Sequence, residues 1–346
     1  MLRIRSWQLC LLATLVSVLQ TSAAFANPPA TDIDFDVSMR GTGSATIHAA
    51  IYTNPANCGV TTILAVHGLT ETASTFQPLA NAIFADSLLG RSVKRVISID
   101  LPGHGETGFP TLPSGVRFGD LTIEDNVSVV IQSIDVLRSR NLGAQVIIGH
   151  SMGGLAVQAA QEALLSAGSS LAKHGVVGAI LIAAVPNRGS VWTQPAPADL
   201  SQFLVTTDEL GTYLDLPPAV AQVAGGWTNL SGQLVSNVPT VAQIAANGWV
   251  GPEPITTLVE LTGTTAPAIR PNTRQGAFAL RNGTILSVIS FSQDVLAPAV
   301  DQDDLYLYLT GNSGPLYRPI VAPDAVHSMF MSNPTGLVSA LRNGVF

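Results

Sequence analysis

The chain has 346 residues, of which 47% are hydrophobic and only 11% charged, with a formal net charge of −7. Such a composition excludes intrinsic disorder, and the length is enough for one or two domains around a large core. No glycine triplet, heptad or fixed-period repeat is present, which excludes collagen-like, coiled-coil and solenoid architectures. The acidic balance, with no Lys/Arg-rich patch, argues against a nucleic-acid partner.

At the N-terminal end, Arg3 and Arg5 precede an apolar run over 9–19, and the next segment ends Ala24-Phe25-Ala26. A basic start, a short greasy centre and small residues at −3 and −1 describe a secretory signal peptide over 1–26, with cleavage expected before Asn27. The run falls short of the roughly 20 apolar residues of a bilayer span, so a retained anchor is the weaker reading and no stable membrane span is expected. The expected location is outside the cytoplasm, in the periplasm or the medium. Cleavage would remove two of the 16 basic residues and no acidic one, leaving 14 against 23 and a charge of −9. Only Cys58 would survive of the two cysteines, so no internal disulfide can form, and a partly buried filler is its expected role.

Residues 32–53 alternate in two short β-rich runs around Gly41-Thr42-Gly43, as an antiparallel pair does. Strands are then expected over 60–66, 93–99, 145–148 and 176–185, and helices over 73–89, 121–140 and 154–167. Continuous apolar strands alternating with helices predict an α/β fold, a mostly parallel sheet covered on both faces. The rhythm breaks over 187–283, whose 97 residues hold nine prolines and ten glycines. It resumes with strands over 284–291 and 316–321 and helices over 301–309 and 334–341. The expected organisation is a core of 27–186 and 284–346 with a cap or lid inserted at 187–283, since a structureless loop of that length is improbable in a compact domain.

The strand over 145–148 runs into Gly149-His150-Ser151-Met152-Gly153 and then a helix. This is Gly-x-Ser-x-Gly in the strand–turn–helix setting of a nucleophile elbow. The tight turn lifts the serine hydroxyl above the sheet, and its flanking positions accept only very small residues. A serine needs a base. Of the six histidines, His327 follows the last strand on a loop at the carboxyl edge, where parallel sheets build their sites. His150 is read as structural with its side chain aimed elsewhere, and His48 and His174 as solvent-facing. Asp294, at the end of the strand over 284–291, is the expected orienting carboxylate. Asp301, Asp303 and Asp304 read as a solvated helix start rather than a metal site, and Asp324 is too close to His327 along the chain.

With these motifs in series the sequence resembles the α/β-hydrolase superfamily over most of 60–190 and 284–346. The resemblance rests on Val66-His67-Gly68-Leu69, on the segment from Asp100 to Thr107 with threonine in the usual serine place, on the elbow, on Asp294-Val295-Leu296-Ala297-Pro298, and on His327 followed by Asn333-Pro334. It implies Ser151 as nucleophile, His327 as general base and then acid, and Asp294 as its orienting group. It also implies an oxyanion hole from the backbone N–H groups of Leu69 and Met152, scaffold roles for His67 and His104, and no cofactor or metal. A serine nucleophile disfavours dehalogenase and epoxide-hydrolase chemistry, and a single His-Gly-x disfavours the hormone-sensitive-lipase-like branch.

Trp192, Trp227 and Trp249 all fall in the insertion, and 189–269 holds six acids and no Lys or Arg. No basic clamp for phosphate or carboxylate can come from there, so the expected substrate is a neutral, apolar small-molecule ester, with the tryptophans as candidate contacts or simply as the cap's own core. The expected function is an exported serine hydrolase of carboxylic esters, of the esterase, lipase or lactonase type. The alternatives are an amidase or peptidase on the same triad and a non-catalytic binding protein on a hydrolase scaffold.

Overall fold

The computed structural model describes residues 31–39, 43–56, 59–69, 71–116, 118–186, 227–228, 234–235, 273–292, 294, 297, 299–311, 320–322, 327 and 334–344. The segment expected as a signal peptide, Cys58, Trp192, Trp249 and almost all of the expected insertion lie outside the described residues, as does Asp324. Trp227 opens β7 (Trp227–Thr228), which pairs with β8 (Leu234–Val235), but its side chain is not among those described.

One eight-stranded sheet carries the fold. Its strands are β1 (Thr31–Met39), β2 (Gly43–Thr53), β3 (Thr61–Val66), β4 (Val93–Ile99), β5 (Val146–His150), β6 (Gly178–Ile182), β9 (Ile285–Phe291) and β10 (Ile320–Ala322), in spatial order β1-β2-β4-β3-β5-β6-β9-β10. The β1–β2 and β2–β4 pairings are antiparallel and the others parallel. The two strand types follow from residue pattern. Over β1, Phe35, Val37 and Met39 are buried while Asp34, Asp36 and Ser38 are exposed, the period of two of a strand with one wet face. In β5 every residue is buried, as in a strand covered on both sides.

The covering helices are α1 (Gln77–Ala85), α2 (Ile123–Ser139), α3 (Ser151–Ser166), α4 (Ala299–Thr310) and α5 (Pro334–Gly344). Leu137, Leu155 and Leu309, from α2, α3 and α4, pack on one face with Leu64, Val66 and Ile147. Leu79 and Ile83 of α1 and Leu337 and Leu341 of α5 pack on the other with Ile63, Ile148 and Ile289. The sheet is thus doubly wound. Ala277 and Phe278, counted in sequence with the insertion, belong to the first core, and the Phe278 amide donates to Leu309 O at 2.8 Å.

Three of the boundaries that depart from the sequence reading have a local cause. The helix expected over 73–89 is a 3-10 turn (Ala73–Phe76) running into α1, which ends because Asp86 turns extended at ψ 136°. The Asp86 carboxylate accepts from the Leu88 and Leu89 amides, both at 2.9 Å, and starts a separate turn; these bonds hold its carboxyl below the usual range. α3 begins at Ser151 rather than 154, since the elbow passes from strand to helix with no intervening loop. β6 stops at Ile182, where Ala183 takes φ +45°. Beyond it Ala184 is clamped by buried Gln302, which accepts from the Ala184 amide at 3.1 Å and donates to its carbonyl at 2.7 Å. No helix among the described residues is long and apolar enough to cross a membrane.

Candidate active site

The carboxyl ends of β3, β5 and β9 and the residue following β10 at 327 supply the candidate residues. Ser151 sits between β5 and α3 at φ +49°, a conformation that non-glycine residues avoid and that aims the side chain off the sheet. The glycines of the motif are required by contact. A Cβ on Gly149 would lie 2.6 Å from Gly153 O and 2.7 Å from Gly154 Cα, and one on Gly153 would run into the carbonyl oxygens of Val66 and His67. Ser151 is the first residue of α3, so the helix dipole favours negative charge developing beside it.

Asp294 and His327, 33 residues apart in the chain, are hydrogen-bonded, with Nδ1 2.8 Å from Oδ2. Both are buried. The other carboxylate oxygen of Asp294 accepts from the Ala297 amide at 2.8 Å, which fixes the carboxylate. A carboxylate only accepts, so Nδ1 carries the hydrogen and Nε2 is left as the proton acceptor of the ring. The rival acids Asp301, Asp303 and Asp304 lie on the first turns of α4, half-buried or exposed. Burial, and then Asp304, raises the carboxyl of Asp301 above its ordinary value.

The turn after β3 lies against Ser151. A Cβ on Gly68 would stand 3.0 Å from the Cβ of Ser151, so Leu69, the next residue, is adjacent to the elbow. Leu69 and Met152 are both buried. Among the described residues no cluster of three or more His, Cys, Asp or Glu side chains has the arrangement of a metal site.

The neighbouring histidines divide by role. His67 is fully enclosed, with Nδ1 2.8 Å from Gly68 O and Nε2 accepting from the Leu101 amide at 3.0 Å. Burial, then the proximity of His104, holds its pKa well below the ordinary value of 6.5. His104 bonds Pro102 O at 3.1 Å. Thr107 in its motif does the work of a serine, donating to Asp100 O at 2.9 Å and accepting from the His48 amide at 2.8 Å. Asp100 accepts from the Ala73 and Glu106 amides, yet burial raises its pKa above the usual range.

His48 and His174, read as solvent-facing, are half-buried, each against an acid. The His48 side chain is 13% exposed and lies between Asp34 at 3.2 Å and Asp32 at 3.6 Å, because β1 aligns acids along its open face. His174 bonds Asp135 at 2.6 Å and Ser169 Oγ at 3.1 Å, a second Ser–His–Asp chain at the surface. His150 is wholly buried as a scaffold residue would be, but its ring bridges Glu71 at 3.0 Å and the carbonyl of His327 at 2.9 Å. Sequence reasoning missed Glu71; its signal is a single acid in the polar turn directly after Val66-His67-Gly68-Leu69.

The model of the alpha/beta hydrolase family matches residues 63–340, which spans the elbow, Asp294 and His327. The chain belongs to the alpha/beta hydrolase family. Several solved structures share this hydrolase's fold at low identity. A hydrolase from Pseudomonas aeruginosa PA01 aligns at TM-score 0.54 with 18% identity, covering 89% of this chain and 98% of its own. A naproxen esterase from Bacillus subtilis aligns at 0.53 with 14% identity, covering 95% of each chain. An epoxide hydrolase from Vigna radiata aligns at 0.52 with 16% identity, covering 90% and 97%. No curated protein sequence matches this alpha/beta hydrolase significantly. Esterase and epoxide hydrolase are equally near in shape, so the chemistry has to be argued from the side chains.

Proposed function

We propose that this alpha/beta hydrolase is an exported serine hydrolase that cleaves neutral carboxylic esters. The observation that carries the reading is a serine at positive φ on the elbow together with a buried Asp–His pair that takes up Nδ1 of His327, so that Nε2 is the ring's proton acceptor. Ser151 attacks the ester carbonyl while Nε2 of His327 takes its proton. The oxyanion is held by the Leu69 and Met152 amides, and His327 returns the proton to the departing alcohol. Water, activated by the same nitrogen, then releases the acid and frees Ser151. Asp294 stays ionised throughout and stabilises the imidazolium.

The lack of Lys and Arg over 189–269 supports a substrate whose cap-facing part is uncharged and apolar, with Trp192, Trp227 and Trp249 as candidate contacts. Export rests on the leader over 1–26. Assaying short- and long-chain p-nitrophenyl esters beside amino-acid anilides tests the reading. Ester turnover that S151A reduces by about 10⁴-fold or more supports it. Anilide turnover exceeding ester turnover would make the enzyme an amidase, and no turnover of either class would favour a binding protein.

A further inference from the structure

Behind Ser151 the fold buries a second acid–imidazole pair that the ester chemistry does not use. Glu71 and His150 have side chains only 1% exposed. Glu71 Oε2 accepts from the Gly68 amide at 2.6 Å and faces His150 Nδ1 at 3.0 Å, and His150 Nε2 faces the His327 carbonyl at 2.9 Å. The two imidazole rings lie 4.8 Å apart. One connected chain therefore joins three separate segments: the turn before Leu69, the residue preceding Ser151, and His327 itself.

The proton count of this chain is fixed by its acceptors. A carbonyl cannot donate, so Nε2 carries a hydrogen. Nδ1 faces a carboxylate oxygen that already takes the Gly68 N–H, and the hydrogen between Nδ1 and that oxygen closes the chain. The result is a buried acid–imidazole pair with a polar contact at each end. It is a costly way to fill space, since Glu71 Oε1 is buried with no hydrogen-bond partner among the described residues. Apolar side chains of equal volume would pack there without that penalty.

We infer that Glu71 and His150 form a positioning pair that holds the His327 backbone in register with Ser151 and the Gly68–Leu69 turn. The inference rests on the catalytic reading of Ser151 and His327. E71Q isolates it. An amide oxygen can accept from Gly68 and from Nδ1–H, but a neutral ring then has no hydrogen on Nε2 for the His327 carbonyl, and the amide turned the other way sets its NH₂ against the Gly68 N–H. The titratable groups facing His150 are Glu71 from the turn after β3, His327 with its partner Asp294, and His67.

The test has two arms. In ¹⁵N-histidine NMR of the wild-type protein, with the His150 signal assigned by its loss in H150F, Nε2 of His150 should carry a hydrogen bonded to the His327 carbonyl. A bare Nε2 overturns the inference, whether or not any variant folds. In the second arm, folded E71Q should lose about 10²-fold in kcat with KM nearly unchanged. Folded E71Q with wild-type kcat, or with the loss appearing in KM instead, overturns it as well. Fluorophosphonate labelling of wild-type Ser151 is the control: if that fails, the catalytic reading has failed and not the positioning pair.

Discussion

The residues around the elbow are held by hydrogen bonds whose consequences can be measured one side chain at a time. His67 is the clearest case for pH. Burial keeps it neutral in the folded state, while the unfolded chain takes up a proton below about pH 6.5. The unfolded state thus binds more protons in that range, and stability falls as pH drops below 6.5. We predict a falling melting temperature from pH 7 to pH 5 in the wild type and a shallower slope in H67Q. Equal slopes would contradict the burial argument. Asp294 is predicted to matter through orientation: D294N should keep the fold and lower kcat by about 10⁴-fold, because an amide can stabilise the wrong tautomer. The roles proposed for Ser151, Asp294 and His327 could be argued from sequence because each follows a β-strand of the parallel sheet. Glu71 could not, since its partner His150 lies 79 residues away and nothing in either local pattern announces the other.

At the scale of elements, the elbow stands on glycines that differ in what they tolerate. A methyl at Gly153 meets backbone carbonyls of Val66 and His67, which belong to the central strand and its turn and cannot yield. G153A should cost more than about 3 kcal/mol or prevent folding. Gly178 in β6 offers the contrast, since the nearest atoms to an added Cβ are those of the Val146 side chain, at ordinary contact distances of 3.4 Å and beyond, in a backbone any residue can adopt. G178A should be neutral or stabilising by about 0.4–1 kcal/mol, read from chemical denaturation. The strands themselves were legible because continuous runs such as Thr61–Val66 have no reading except a strand buried on both faces. The ends were less so. Asp86 breaks the helix expected over 73–89 by capturing two amides with its side chain, a local competition that hydrophobic spacing does not reveal.

For the whole molecule, the doubly wound sheet brings residues from 68 to 327 to one edge, and that convergence depends on crossovers no single segment encodes. Chain order was nevertheless readable, since apolar strands alternating with amphipathic helices leave few topologies for a parallel sheet. The run of prolines and glycines before β9 was harder to read. Phe278 and Ala277 sit in the main core although the prolines and glycines around them read as cap. The proposed export makes a molecular prediction of its own: N-terminal sequencing of the mature protein should begin at Asn27, and a retained Met1 in a membrane pellet would count against it.

The central claim is that Ser151 is the activated hydroxyl, and the molecule contains its own control in Ser169, which bonds His174 at the surface in a similar Ser–His–Asp chain. Peptide mapping after brief exposure to a fluorophosphonate measures which hydroxyl is nucleophilic. The account predicts a single adduct on Ser151, absent in S151A and formed far more slowly in H327A. An adduct on Ser169, or none on a folded wild-type protein, would contradict it.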